Sequence, residues 1–129
     1  PWWYLKAEIS YKQVHNWIRR AFERCGVITE LSSEVIKAGS GQCFIGAEKS
    51  DLLFRGRKIA GAAQRRNREG LLIQGSIQAK DTGIKRSNWE SAMLEELEWK
   101  KWQPVERFVE GIRILSKQKY ELDIHNQRR

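Results

Sequence analysis

The stretch Asp51-Leu52-Leu53-Phe54-Arg55-Gly56-Arg57-Lys58-Ile59-Ala60-Gly61-Ala62-Ala63-Gln64 decides the fold, because it reads as two strands folded back around Arg55-Gly56. Residues 51–54 and 58–64 are the arms, and glycine at 56 takes the positive φ that a tight hairpin turn needs. After Lys58 come Ile, Ala, Gly, Ala, Ala and Gln, so one strand face has almost no side-chain bulk and a ligand can lie against backbone. At a period of two, Lys58, Ala60, Ala62 and Gln64 share one face, and Ile59, Gly61 and Ala63 the other. Cys43 stands shortly upstream. Each feature alone has an ordinary explanation: small residues admit a packed helix, a single cysteine is a small buried hydrophobe, and a lysine beside a turn is solvated. A thiol, a cation and a bare strand face together point to a site.

Outward from this hairpin, Leu71 to Gln78 reads as the next strand, reached through a turn with Asn67 and Gly70 at turn-compatible positions. Trp2 to Ile9 alternates aromatic and polar residues and predicts a strand. Ser10 then opens a helix, with Gln13 as its capping-box partner and Tyr11, Val14, Ile18, Ala21, Phe22 and Cys25 on one apolar face. Gly26 ends that helix, and His15, one position off the stripe, reads as structural. Val27 to Leu31 is a short strand, and Ser32 to Gln42 a glycine-containing loop of the kind that moves over a site. Ser87 with Glu90 forms a second capping box, opening a helix that buries Trp89, Met93, Leu94 and Leu97. Pro104 starts a third, with Val105, Phe108, Val109, Ile112 and Leu115 as its inner stripe. The expected class is α/β of the α+β type, a mixed β-sheet with packed helices.

The chain has 129 residues, enough for one domain with a modest core. Six tryptophans, two of them at positions 2 and 3, predict apolar surface that faces something else. Two cysteines, no signal-like segment and no long apolar run predict a cytoplasmic protein without a membrane span. No metal-ligand cluster is expected. The net charge of +8 is densest at Arg55, Arg57, Lys58, Arg65, Arg66 and Arg68. That region lacks the aromatic interleaving that stacks bases, which ranks nucleic acid last among partners. An acidic protein suits the same charge and would be steered to it in a salt-dependent way.

The string Gly56 to Gln64, followed by Gly70-Leu71-Leu72-Ile73-Gln74-Gly75-Ser76-Ile77, resembles the core motif of the lipoate-protein ligase and octanoyltransferase family. Cys43-Phe44 ahead of Asp51-Leu52 resembles the segment that carries the acyl-accepting cysteine in the branch using octanoyl-acyl carrier protein. Tyr11 to Ile18 is similar to the helix after the family's central strands, with weaker echoes at Trp89-Glu90 and Lys119-Tyr120. The resemblance implies a partial biotin/lipoate protein ligase-like domain, with residues 1–129 a single, incomplete catalytic domain. The family's Arg-rich triple-glycine loop does not occur in this sequence, where Arg65 to Gly70 reads as a hairpin turn. Many relatives carry histidine where this chain has Gln74.

For the site, the resemblance implies an acyltransferase that moves an octanoyl or lipoyl group from acyl carrier protein to a lysine of a lipoyl domain through a Cys43 thioester. Lys58 would supply the positive charge that favours the thiolate. Gly56, Arg57, Ala60, Gly61, Ala62, Gln64, Gly75 and Ser76 would contact substrate, the backbone at Gly61-Ala62 and Gly75-Ser76 shaping the acyl pocket or donating N–H groups to an oxyanion. Such a transferase needs no cofactor, and its partners are octanoyl-acyl carrier protein and a lipoyl-domain acceptor. The alternative is an ATP-dependent lipoate-protein ligase, which uses ATP and Mg, keeps Lys58 and dispenses with Cys43. A third reading is a non-catalytic module that binds lipoyl domains.

Overall fold

A computed structural model of the chain describes residues 2–37, 45–97 and 104–120, with backbone alone at 119 and 120. The chain divides into two compact units, Pro1–Glu98 and Trp99–Arg129. The first contains helix α1 (Ala7–Arg24), strands β1 (Glu30–Leu31), β2 (Leu52–Phe54), β3 (Arg57–Arg66) and β4 (Leu71–Ile77), and helix α2 (Arg86–Leu94). The sheet order is β1-β2-β3-β4, every described pairing being antiparallel. The α+β class read from the sequence holds, with helices packed on a sheet, but the sheet expected to be mixed is antiparallel throughout its described pairings, because consecutive strands are joined as hairpins.

The N-terminal residues depart from expectation. Instead of a strand over Trp2 to Ile9, a 3-10 turn at Trp2–Tyr4 leads into α1 at Ala7. The aromatic alternation serves ring contacts: Trp2 meets Trp17 edge-on with centroids 6.3 Å apart, and Trp3 lies 4.7 Å from Tyr4. Ser10 is inside the helix and caps nothing; Lys6 is at the cap position and makes no side-chain capping bond. Gly26 does end the helix, at φ 78°. Its N–H reaches Glu23 O at 2.9 Å, and Val27 N–H reaches Phe22 O at 3.0 Å. These paired bonds satisfy last-turn carbonyls, and only glycine takes that conformation cheaply.

The apolar stripe of α1 packs as its spacing predicts. Ile18 and Phe22 join Leu52, Ile59, Ala60, Ala79 and Trp89 in the core, and the Phe22 and Trp89 rings stack at 6.1 Å. Cys25 packs against this cluster as a small hydrophobe. In α2 only Trp89 and Ala92 are buried. Leu94 and Leu97, expected inside, are 46% and 37% exposed: this short helix turns one narrow face inward, and Leu97 lies beyond its end. Its predicted capping box is also absent: Lys85 is the N-cap, and Glu90 pairs with Arg86 one turn away.

The hairpin falls where the sequence puts it. Arg55 and Gly56 have φ of 51° and 73°, the successive positive values that match the twist of the flanking strands. At the next turn Asn67 Oδ1 accepts from the Glu69 and Gly70 N–H groups, both at 2.9 Å. One irregularity moves a key residue. Leu52 pairs with Ala60 but Leu53 pairs with Lys58, so Ile59 is an extra residue on β3. Paired residues share a face and sequential ones alternate, so Lys58 emerges on the side of Gly61, not with Ala60, Ala62 and Gln64 as strict alternation predicts.

In the second unit, helix α3 (Glu106–Leu115) follows Pro104 and has Val105 as its N-cap. Its expected inner stripe is not buried: Phe108, Ile112 and Leu115 are each about half exposed. A short π-helical turn at Ser116–Tyr120 follows. Among the described residues no helix is long and apolar enough to cross a membrane.

Candidate functional site

Lys58 and Asp51 form the centre of the site. The hairpin brings the residue before β2 opposite β3, and Lys58 Nζ lies 2.8 Å from Asp51 Oδ2 with the carboxylate wholly buried. A buried carboxylate persists only if its lone pairs are met. Oδ2 also accepts from Glu48 N–H at 2.7 Å, and Oδ1 accepts from the Tyr11 hydroxyl at 2.5 Å. Ser50, immediately before Asp51, is in the left-handed region at φ 73°, with its N–H bonded to Ser32 O at 2.8 Å. A non-glycine residue there is strained, and the strain sits where the acid is aimed.

Two side chains from α1 complete this cluster. Tyr11 Oη accepts from Ala62 N–H at 3.3 Å while donating to Asp51. Burial, then the bond to Asp51, pushes the phenol well above its usual range, so it stays protonated and keeps donating. His15, one turn on, is fully buried, its ring 4.5 Å from that of Tyr11. Its Nδ1–H donates to Tyr11 O at 3.0 Å, and Nε2, 3.8 Å from Asp51 Oδ1, has no hydrogen-bond partner among the described residues.

Burial lowers the His15 pKa from 6.5, and nearby Lys58 pushes the same way against the Tyr11 carbonyl and Asp51. The folded chain therefore binds a proton here less readily than the unfolded chain. Stability from this residue is present above about pH 6.5 and is lost as pH falls through the lower folded value. Replacing His15 by Gln is expected to reduce the drop in melting temperature between pH 7 and pH 5.5. An undiminished drop would show that the acid sensitivity lies elsewhere.

Gly61 explains how Lys58 fits. A Cβ there would stand 2.5 Å from Lys58 Cε and 2.7 Å from Nζ. Across the strand pair, a Cβ on Gly75 would come 3.0 Å from the Gly61 carbonyl oxygen. Gly61, Ala62, Gly75 and Ser76 line an open groove of about 660 Å³, with Trp2 and Trp17 among its apolar walls. A second groove of about 730 Å³ adjoins Tyr11, Lys12, Lys49, Ser50 and Gln64, and Ala62 lines both.

The remaining sequence candidates are placed differently. Ala60 is fully buried in the core. Gly56 is in the turn, and Arg57 beside it extends to Asp81 at 2.9 Å. Gln64 fastens β3 to α1: its Oε1 lies 2.8 Å from Ser10 Oγ, and its Nε2 donates to Ala7 O at 2.7 Å. Ala62 N–H, a candidate oxyanion donor, is bonded to Tyr11. Cys43 lies outside the described residues; Ile36 and Ala47 form an isolated antiparallel bridge. Asp51, Tyr11 and His15 were not singled out as site residues by the sequence. The available signal was a lone acid at the head of Leu52-Leu53-Phe54, opposite a lysine. Among the described residues no group of three or more His, Cys, Asp or Glu is placed to hold a metal ion.

A buried lysine–carboxylate pair behind a glycine-lined groove is the anatomy of a domain that handles a ligand, more than core packing requires. The family model for the lipoyl protein ligase A/B catalytic domain matches residues 5–122, and the chain belongs to that family, one of ligases and transferases acting in lipoyl attachment. No curated protein and no solved structure matched the chain.

Proposed function

We propose that this domain is an acyltransferase that takes an octanoyl or lipoyl group from acyl carrier protein and passes it to a lysine of a lipoyl domain, using Cys43 as the covalent carrier. The observation that carries this reading is the Lys58 ammonium, fixed by Asp51 and packed against Gly61, which itself lines the 660 Å³ groove. The Cys43 thiolate attacks the donor thioester carbonyl, and the carrier thiolate leaves and takes up a proton. The acceptor amine then attacks the Cys43 thioester, forming the amide and returning the thiol. Lys58 favours the thiolate in the first step. No cofactor is required, and the chemistry suits the cytoplasm, where the thiol stays reduced. The net charge of +8 fits partners that are acidic.

The test is intact-protein mass spectrometry of the protein, Cys43→Ser and Lys58→Ala after mixing with octanoyl-acyl carrier protein. A mass gain of one octanoyl group in the parent, absent from Cys43→Ser and slowed by at least about tenfold in Lys58→Ala, is the expected result, tenfold being about 1.4 kcal/mol of barrier. Octanoylation that requires ATP and free acid and survives Cys43→Ser overturns the reading in favour of the ligase.

A further inference from the structure

The helix α1 packs against the sheet largely through apolar side chains, yet it sends one hydroxyl and one imidazole to the buried acid. Tyr11 Oη is held from two directions, by Ala62 N–H at 3.3 Å and by Asp51 Oδ1 at 2.5 Å, and its ring lies against His15. The Ala62 N–H is a donor of β3 beyond the last paired residue of β2, since β2 starts at Leu52 opposite Ala60. A buried strand N–H needs an acceptor, and the tyrosine supplies it. The two oxygens of Asp51 are thereby assigned separate work: Oδ2 takes Lys58 and the Glu48 N–H, and Oδ1 takes Tyr11.

From this geometry we propose that Tyr11 is a positioning residue, which acts through Asp51 to fix where the Lys58 ammonium stands. The inference rests on the reading above that Lys58 is the working cation. A carboxylate anchored at one oxygen only can turn about its terminal torsion, and its ammonium partner turns with it. Anchoring Oδ1 removes that freedom. The unprotonated His15 completes the arrangement, because its Nδ1–H is committed to the Tyr11 carbonyl and its Nε2 offers Asp51 no competing donor. A core tyrosine that merely filled space would need none of these bonds, and phenylalanine would serve equally well.

The experiment compares the protein with Tyr11→Phe, which keeps the ring and deletes the hydroxyl. Lysine reactivity is read by brief labelling with acetic anhydride and peptide mass spectrometry, with Lys12, Lys49 and Lys80 as internal references. In Tyr11→Phe, Lys58 labelling is expected to rise at least threefold relative to those references, while octanoyl transfer falls about tenfold in kcat with KM for the donor unchanged. In an Asp51→Asn background the further change Tyr11→Phe is expected to leave Lys58 labelling where it was. Unchanged relative labelling in the single variant, or full additivity in the double variant, overturns the proposal, including when melting temperature alone has shifted. The labelling reads the amine directly. Transfer that survives Lys58→Ala therefore defeats the functional reading without altering what labelling says about Tyr11.

Discussion

Asp51→Ala is expected to lower stability by about 3–5 kcal/mol, the cost of leaving one member of a buried ion pair without its counter-charge. Lys58 is only 13% exposed at its side chain, so water cannot take over the role of the carboxylate. The substitution also leaves the Tyr11 hydroxyl and the Glu48 N–H without the acceptor they share, the half-buried phenol being the costlier of the two. Because whole domains are stable by about 5–15 kcal/mol, a large share of the folded population is at risk. Urea denaturation at pH 7 measures it. The double variant Asp51→Ala with Lys58→Met separates charge from shape: removing the orphan cation should recover more than half of the loss. A single-variant loss below about 1 kcal/mol would mean that the pair behaves as an exposed one.

Gly61→Ala is expected to strike the same pair differently, displacing the ammonium without deleting its counter-charge. The added methyl would collide with Cε and Nζ of Lys58, the far end of a long side chain, and would come 3.3 Å from Asp51 Oδ1. The lysine must therefore shift, which moves the ammonium from the position set by Asp51 and weakens the buried pair, at a smaller cost in stability than Asp51→Ala because both charges remain in place. Displacement of a reacting or charge-stabilising group by about 1 Å costs on the order of 10²-fold in rate. On the transferase reading proposed above, octanoyl transfer should fall by about that factor, with a smaller drop in melting temperature than Asp51→Ala causes. The same activity as the parent would show that Lys58 does its work from some other rotamer. Gly75→Ala is the useful contrast, since there the contact is with the Gly61 carbonyl oxygen, part of the backbone.

Much of the architecture was legible in the sequence because it is locally encoded. The Arg55-Gly56 and Asn67-Gly70 turns bracket β3, and the α1 stripe with its terminal Gly26 follows helical spacing. What escaped depended on contacts remote in sequence. The Trp2–Tyr4 segment reads as a strand by alternation, but Trp2 meets Trp17 and Arg66 binds the Trp3 carbonyl at 2.6 Å, which favours a compact turn. The bulge at Ile59 is invisible to period-two counting, so Lys58 was assigned to the wrong face. Within the site, Lys58, Gly61 and Gly75 could be found because a cation beside small residues is unusual. Tyr11 and His15 could not, since a polar atom on a core residue announces itself only when its partner, 40 residues away for Tyr11, comes into view.

The meander order of the sheet bears on how this centre comes into being during folding. Strands β2, β3 and β4 join through tight turns, so their pairing closes only short loops and belongs to the fast, local part of the process. The Lys58–Asp51 contact is internal to that hairpin unit. Docking of α1 is different: the Ser10–Gln64 bond spans 54 residues and the Tyr11–Asp51 bond 40, so both wait for a long loop to close. On loop length alone, the ion pair is expected to assemble before its tyrosine arrives. In that order the lysine and carboxylate are expected to be adjacent but still wet until α1 docks over them.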